Sequence, residues 1–288
     1  MKFTFLGTGT SHGVPVIGCE CKVCKSRNKK DKRFRCSAHI LSQNGTSVII
    51  DLSPEFRLQA IRSKIKEVDA ILITHSHADH LHGIDDIRIF SCEPSPFVRN
   101  PNANEYVKPP LPLFTNQNTA DDLKYKFSYF FKPVRQGSGR AKIDLQVATQ
   151  TFSLKDLQIT PVPLKHGMLE TCGWIITENK KSIAYLTDCN FISEESYKII
   201  QDFSPEYLVI DGLQEREHST HFNFIQAMQA ADRIGAKFTY FTHLTHKHSH
   251  KEVQQFMNNH LCEFQNLNQI VKNGGFIKPA YDNLTISI

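Results

Sequence analysis

The sequence predicts an α/β fold. Short runs of apolar and β-branched residues alternate with segments whose apolar residues recur at helical spacing. Several of the apolar runs end in a histidine or an aspartate, as at His75, Asp188 and His243. The 288 residues and the hydrophobic content of 40% suit one large domain or two small ones. No linker divides the chain, so we expect a single domain over residues 1–288.

The predicted elements follow in chain order. Strands are predicted at residues 3–6, 37–41, 47–51, 68–73, 111–114, 141–147, 157–161, 162–166, 173–177, 182–187, 207–211, 238–243 and 284–288. Asn44 and Gly45 form the turn of a hairpin between the second and third of these strands. Helices are predicted at residues 56–61, 81–90, 119–131, 193–201 and 222–234, where the apolar spacing is helical.

Four potential metal ligands follow the strand at 68–73: His75, His77, Asp79 and His80. A single turn cannot wrap all four around one ion. We therefore expect two ions about 3.5–4 Å apart, with His75 and His77 on one and Asp79 and His80 on the other. A solvated polar loop is the alternative interpretation, and it gives no reason for four ligand-type residues in the order HxHxDH.

Three further ligand-type residues each close a predicted strand: His166, Asp188 and His243. A single histidine after a strand is usually a surface residue. The order His, Asp, His after HxHxDH is a much stronger signal, because a second set of ligands would complete both sites.

This pattern resembles the metallo-β-lactamase superfamily. The resemblance implies an αβ/βα four-layer sandwich with a dinuclear metal site. It also implies that one ion is held by His75, His77 and His166, that the other is held by Asp79, His80 and His243, and that Asp188 bridges them. By the same resemblance, Asp51 supports the metal-binding histidines from behind, as such ligands commonly require.

A second metal signal is the CxCxxC spacing of Cys19, Cys21 and Cys24, in a loop near residues 18–36. Three thiols can coordinate one zinc, and tetrahedral zinc needs a fourth ligand, which is not local. Reduced cysteines in a plain loop are the alternative, and exposed free thiols there are a liability.

At this point the resemblance narrows to the PhnP type of phosphoribosyl cyclic phosphate phosphodiesterase. The shared motifs are Leu6-Gly7-Thr8-Gly9, Gly13-Val14-Pro15, Gly18-Cys19-Glu20-Cys21 with Cys24, and His243-Leu244-Thr245-His246. The resemblance implies that His246 completes a structural zinc site with the three cysteines.

His221 is the candidate catalytic histidine. It precedes the helix predicted at 222–234, whose N-terminus offers backbone amides to a phosphate. By resemblance, a histidine at this place assists catalysis, and His218 competes for the role. His12, in the glycine-rich loop, is either a substrate-facing residue or an exposed loop histidine. His248 and His250 are predicted to face solvent.

Together these features imply a dinuclear-metal hydrolase that cleaves a phosphodiester, a small cyclic one included, with hydroxide generated at the metals. The expected cofactors are two divalent ions (zinc or manganese, with iron a third choice) and one structural zinc. One alternative is a nuclease of the tRNA 3′-processing type. Others are a hydrolase of lactams or thioesters, and a non-enzymatic metal-binding protein on the same fold.

Composition sets the remaining expectations. The net charge of +5 permits an anionic substrate but falls short of a nucleic-acid-binding signature. The basic residues 25–35 are interpreted as a solvated loop rather than as an attractor for phosphate. No apolar run is long enough to span a membrane, and the N-terminus is not a signal peptide. The scattered cysteines favour a reducing cytoplasm.

One stretch departs from the PhnP type. Residues 91–112, rich in proline and asparagine, are predicted to form a long rim insertion where that family has a shorter connection. A homodimer is expected by resemblance alone.

Overall fold

The computed structural model describes residues 1–91, 109–132 and 140–288. In that part of the chain the strands form two sheets of seven strands each. The first sheet contains β1 (Lys2–Gly7), β2 (Ser37–Leu41), β3 (Ser47–Ile50), β4 (Ala70–Leu72), β5 (Leu111–Thr115), β6 (Ile143–Val147) and β14 (Thr285–Ser287). The second contains β7 (Phe152–Leu154), β8 (Leu157–His166), β9 (Leu169–Glu178), β10 (Lys181–Leu186), β11 (Tyr207–Asp211), β12 (Phe238–Thr242) and β13 (Phe276–Pro279).

The α-helices lie on the outer faces of these sheets. They are α1 (Phe56–Arg62), α2 (Ala78–Leu81), α3 (Arg88–Ser91), α4 (Gln117–Lys126), α5 (Glu194–Phe203), α6 (Phe224–Ile234), α7 (His250–His260) and α8 (Gln265–Lys272). Short 3-10 helices occur at Lys29–Asp31, Ile84–Ile87, Ser128–Phe130 and Leu261–Glu263. Helix α6 begins where it does because Asn223 and Gln226 form a capping box.

Each sheet is antiparallel in one part and parallel in the other. In the first sheet, β14, β1, β2 and β3 pair antiparallel, and β3 to β6 pair parallel. In the second sheet, β7 to β10 pair antiparallel, and β10 to β13 pair parallel. The carboxyl ends of neighbouring parallel strands therefore meet at one edge of each sheet, where open α/β sheets bind their ligands.

Three apolar clusters confirm the four-layer αβ/βα sandwich. Phe3 and Ile50 of the first sheet share one buried cluster with Trp174 and Tyr185 of the second, so this core lies between the sheets. The other two clusters fill the space between each sheet and its own helices. Because both faces of the central strands are buried, these strands consist of nearly continuous runs of apolar residues in the sequence.

The hairpin with its turn at Asn44 and Gly45 is confirmed, and it joins β2 to β3. The helix predicted at 81–90 is wrong in detail, because it divides into α2, a 3-10 turn at Ile84–Ile87 and α3. The helix is interrupted at Gly83, whose amide donates to the Leu52 carbonyl at 2.9 Å instead of to the preceding helical turn, and a Cβ atom there would lie 2.1 Å from the Ser53 carbonyl oxygen.

Other predicted element boundaries also differ from those in the structure. The predicted strands at 157–161 and 162–166 are one strand, β8, and the helix predicted at 119–131 ends at Lys126. The sequence reading missed α7 and α8. Residues 92–108 of the predicted rim insertion lie outside the described residues, and Leu111 and Pro112 belong to β5. Among the helices described, none has both the length and the apolar character needed to cross a membrane.

Candidate metal centre

The ends of strands from both sheets deliver the polar side chains of one site. Asp51 follows β3, and the HxHxDH stretch follows β4. From the second sheet, His166 ends β8, Asp188 follows β10, Asp211 ends β11 and His243 follows β12. A hydrogen bond of 2.9 Å from the Cys172 amide to the Thr74 carbonyl ties the two sheets together beside the site.

The first cluster consists of His75, His77 and His166, whose ring nitrogens lie within 4.8 Å of one another. His75 Nε2 lies 2.9 Å from His77 Nδ1. The Nδ1 of His166 donates to the Thr220 carbonyl at 2.7 Å, which leaves its Nε2 free to bind a metal. Burial lowers the pKa of His75 well below its usual value, so this ring is held in the neutral form that metal binding requires.

The second cluster consists of Asp79, His80, Asp188 and His243, and all four side chains are buried. His80 Nε2 lies 3.2 Å from Asp188 Oδ1 and 3.3 Å from Asp79 Oδ2. His243 Nε2 lies 3.3 Å from Asp188 Oδ2. These separations match the spacing of about 3.3 Å expected between ligand atoms that surround one tetrahedral ion at about 2.0 Å.

Two observations show that this cluster suits a cation. Among the described residues, the Nε2 atoms of His80 and His243 are buried without a hydrogen-bond partner. Burial acts to raise the pKa of Asp188, but the charges of His243 and His80 outweigh it and hold that pKa well below its usual value. Asp188 therefore stays ionised, and its Oδ2 also lies 3.7 Å from His75 Nε2. Asp188 thus lies between the two clusters.

Asp51 lies behind the metal-facing atoms, as predicted. It accepts a hydrogen bond of 2.7 Å from His80 Nδ1 and one of 2.8 Å from the Thr74 amide. Thr74 Oγ1 donates to Asp51 at 2.8 Å and contacts His75 Nδ1 at 3.0 Å, so it accepts from that ring. One carboxylate thereby orients histidines of both clusters, with their Nε2 atoms turned toward the metal positions.

His221 lies beside both clusters. Its ring centroid is 4.4 Å from that of His166 and 4.7 Å from that of His243. Its Nδ1 donates to Asp211 Oδ2 at 2.6 Å. Burial acts to lower the pKa of His221, but the charge and hydrogen bond of Asp211 outweigh burial and raise it to about 9. Asp211 is the residue that sequence reasoning missed, because it was interpreted only as the end of a buried strand.

His218 and His12 lie further out. His218 is exposed, and its ring centroid is 5.2 Å from that of His221. Its Nδ1 faces the Thr220 hydroxyl at 3.2 Å rather than a carboxylate. His12 is exposed and belongs to neither cluster. Position and partners therefore favour His221 over His218 as the histidine that acts on a substrate.

The cysteine loop forms a separate cluster with His246. The Sγ atoms of Cys19, Cys21 and Cys24 lie 3.3, 3.5 and 3.5 Å from His246 Nδ1. Ligands around a tetrahedral zinc, with Zn–S about 2.3 Å and Zn–N about 2.0 Å, stand about 3.5 Å apart. A hydrogen bond from the Cys24 amide lowers the pKa of Cys21 to about 6, which favours the thiolate, whereas burial raises the pKa of Cys24 to about 11. The donor set and its spacing fit one zinc ion.

Two predictions about the surroundings of the cysteine loop are correct only in part. Within the basic stretch 25–35, Lys25, Arg27, Lys29 and Lys30 are exposed as predicted, whereas Arg33 is buried. His248 and His250 do not face solvent fully. His248 Nε2 pairs with Glu215 at 3.1 Å, and the ring of His250 packs edge-on against Tyr281 at a centroid distance of 5.6 Å. Helix α7 begins at His250 and draws this segment into the fold.

The "Beta-lactamase superfamily domain" family matches residues 46–244, a range that includes every residue of the first two clusters. An octanoyltransferase of Porphyromonas gingivalis (strain ATCC BAA-308 / W83) is 34% identical over 248 residues, or 85% of this chain and 46% of that protein. The chain thus spans about half the length of this curated relative.

Two solved structures are similar over the whole chain. The crystal structure of a diphosphatase from the PhnP family is 33% identical with a TM-score of 0.79, and the match covers 100% of this chain and 97% of that one. The short form of human tRNase Z is 17% identical with a TM-score of 0.65, over 100% and 99% of the chains, and it shows the fold alone. This chain belongs to the beta-lactamase superfamily domain family, in its metallo-β-lactamase form, and resembles the PhnP proteins within it.

Proposed function

We propose that this protein is a metal-dependent hydrolase that cleaves phosphodiester bonds, small cyclic ones included. The observation that carries the proposal is the pair of adjacent ligand clusters with Asp188 between them, and with His221 and Asp211 beside both. The PhnP-family diphosphatase, similar over the whole chain, supports chemistry at a phosphate group and adds the diphosphate linkage to the candidate substrates.

Both ligand clusters would hold metal. One divalent ion would be held by His75, His77 and His166 and the other by Asp79, His80 and His243, with Asp188 as a ligand available to both. When bound, such ions supply hydroxide at neutral pH and neutralise charge on a phosphate. Zinc or manganese suits these imidazole and carboxylate ligands, and iron suits them as well.

His221 acts on the substrate from the side. Because its Nδ1 proton is held by Asp211, its Nε2 is the nitrogen that can reach a phosphate oxygen. In the protonated ring, Nε2 donates to that oxygen as negative charge grows, or passes its proton to the leaving oxygen. Asp211 keeps the ring oriented and charged for this step.

The test combines metal content with hydrolysis of bis(p-nitrophenyl) phosphate. We expect about three metal ions per chain, two in the catalytic site and one at the cysteines, together with turnover of the diester. The substitution His221→Gln should leave the metal content unchanged and lower kcat by about 100-fold or more. The matched control is His218→Gln, which should lower kcat less than threefold. Full activity of His221→Gln would remove its catalytic role.

The relative named octanoyltransferase favours a second candidate, hydrolysis of an octanoyl ester or thioester. The match covers only 46% of that protein, so the transfer activity can belong to its other part. Assaying an octanoyl thioester beside the phosphate diester separates the two proposals, because only one substrate should turn over efficiently.

The nuclease and non-enzymatic alternatives have distinct signatures. A nuclease of the tRNA 3′-processing type would bind structured RNA with a steep dependence on salt. A non-enzymatic metal-binding protein would hold its ions and cleave no ester. A homodimer acting on a small substrate in the cytoplasm completes the proposal.

A further inference from the structure

Arg33 is a buried charged residue that has no role in the proposed hydrolysis. Its side chain is 0% exposed, although the basic residues Lys25, Arg27, Lys29 and Lys30 of the same loop are exposed. Its nearest carboxylate, Asp31, is 4.0 Å away, and both Asp31 oxygens accept other hydrogen bonds, from Ser26 Oγ and the His250 amide. A buried guanidinium with so little direct pairing is costly, so something else must favour it.

The partners of Arg33 lie on the turn that carries His246. Its Nη1 donates to the Thr245 carbonyl, and its Nη2 donates to the His248 carbonyl at 3.1 Å. These two carbonyls flank His246 in sequence. The same turn follows His243, whose neighbour Leu244 is held by a hydrogen bond of 2.9 Å to the Thr8 carbonyl. Arg33 therefore holds the backbone on both sides of His246.

Arg33 is also tied to the cysteine loop. Its backbone pairs with Val14 through two hydrogen bonds of 2.8 Å, and Val14 packs in one apolar cluster with Val23 and Cys24. Gly9 makes room for this arrangement, since a Cβ atom there would lie 2.9 Å from the Cβ of Arg33. Both halves of the cysteine and histidine cluster thus depend on where Arg33 lies.

The charge of the cluster gives Arg33 a second role. Three thiolates, one neutral imidazole and one Zn²⁺ sum to a net charge of −1, in a region where Cys24 is buried. A fixed cation close to this site offsets that charge. We propose that Arg33 is a positioning residue of the zinc site: its guanidinium holds the turn that presents His246, and its charge stabilises the three thiolates.

The inference rests on zinc at the cysteine cluster and is independent of the substrate. The experiment replaces zinc by Co²⁺ in the full chain and follows the thiolate-to-cobalt absorption, with affinity measured by competition against a chelator. Arg33→Met should weaken the affinity of the cysteine site about 10- to 100-fold. Arg33→Lys keeps the charge but loses the planar guanidinium that reaches two carbonyls, so it should weaken affinity about three- to tenfold.

Two matched controls lie in the same loop. Arg27 and Lys29 are both exposed. Arg27→Met and Lys29→Met should each change affinity less than threefold. Circular dichroism checks that every variant is folded. If Arg33→Met does not fold, the cobalt affinity of Arg33→Lys tests the proposal alone: a several-fold loss supports it and an unchanged affinity contradicts it.

Two outcomes would overturn the proposal, and they differ. Wild-type affinity in both Arg33 variants removes the positioning role while leaving the zinc site intact. Absence of a thiolate-to-cobalt band in the wild-type protein removes the zinc site itself. Neither outcome bears on hydrolysis at the dinuclear site, which bis(p-nitrophenyl) phosphate reports separately.

Discussion

At the scale of single residues, backbone conformation marks the metal centre. Asp51, Asp188 and His243 have φ angles of +60°, +50° and +60°, in the left-handed region that residues other than glycine seldom adopt. Each of them comes at or just after the end of a strand. Such backbone strain persists where the surroundings determine it, and here it turns each side chain toward the clusters. The geometry of the site is therefore built into its backbone.

Substitution of Asp51 tests how strongly this one carboxylate orients the metal-binding histidines. In Asp51→Asn an amide must replace a carboxylate that accepts from His80 Nδ1 and from both polar groups of Thr74. We expect the affinity for the catalytic metals to fall about 10- to 100-fold. Metal titration by calorimetry measures it. Asp144→Asn, at an exposed aspartate of β6, should bind as wild type does.

The burial of His39, in β2, predicts part of the pH dependence of the free energy of unfolding. Its Nε2 donates to Ser47 Oγ at 2.9 Å, because that hydroxyl donates to the Glu67 carbonyl. Burial lowers the pKa of His39 to about 4. The unfolded chain gains a proton on His39 below about pH 6.5, while the folded protein does not. Stability from this residue is therefore present above pH 6.5 and is lost as the pH falls toward 4.

The loss should reach about 2–3 kcal/mol, after allowance for the partial exposure of the ring. Urea unfolding at pH 7.5, 5.5 and 4.5 measures it, and His39→Gln should unfold with a smaller difference between these pH values. Equal pH dependence in the variant and the wild type would show that His39 stays neutral or charged in both states.

At the scale of elements, the sequence predicted the site better than it predicted the boundaries. Ligand residues such as Asp188 and His243 were found because each closes an apolar strand, and the carboxyl ends of neighbouring parallel strands meet at one edge of a sheet. Asp211 also closes such a strand, but its partner His221 comes after a loop, so only the fold reveals their pairing. Arg33 was misjudged because residue type and basic neighbours do not report burial.

The predicted helix at 81–90 is interrupted at Gly83, and the close packing around this glycine leads to a stability prediction. A Cβ atom at Gly83 would lie 2.1 Å from the Ser53 carbonyl oxygen and 2.9 Å from the Cβ of Phe56. Gly83→Ala should therefore lower the free energy of unfolding by about 1–3 kcal/mol or more, because backbone must move.

The control for Gly83 is Gly45, in the β2–β3 turn. Its φ is +89° and nothing lies within 4 Å of an added Cβ, so Gly45→Ala reports the cost of conformation alone, about 1 kcal/mol. Denaturant titrations compare the two variants. A smaller loss at Gly83 than at Gly45 would contradict the packing argument.

At the scale of the whole molecule, the metal centre joins the two sheets. His75, His77, Asp79 and His80 come from the first sheet, whereas His166, Asp188 and His243 come from the second. Each cluster draws ligands from both. Ions bound there would cross-link the halves of the sandwich at the edge where Asp79 and Asp188 place two buried carboxylates close together. Metal binding and the stability of the whole fold should therefore be coupled.

Removal of the metals tests this coupling. An ion present at about 100 times its Kd stabilises the folded state by about 2.7 kcal/mol, so two ions contribute about 5 kcal/mol. For a chain of this size we expect a chelator to lower Tm by about 10 °C. Trp174 is the single tryptophan and lies in the core between the sheets, so its fluorescence reports the separation of the halves. In Asp188→Asn, which lacks the carboxylate between the clusters, the chelator should lower Tm less than in the wild type, because the zinc at the cysteines is the main ion left to remove. An unchanged Tm in the wild type after metal removal would mean that the sheets hold together without the ions, and that the ligand clusters are preformed by the fold alone.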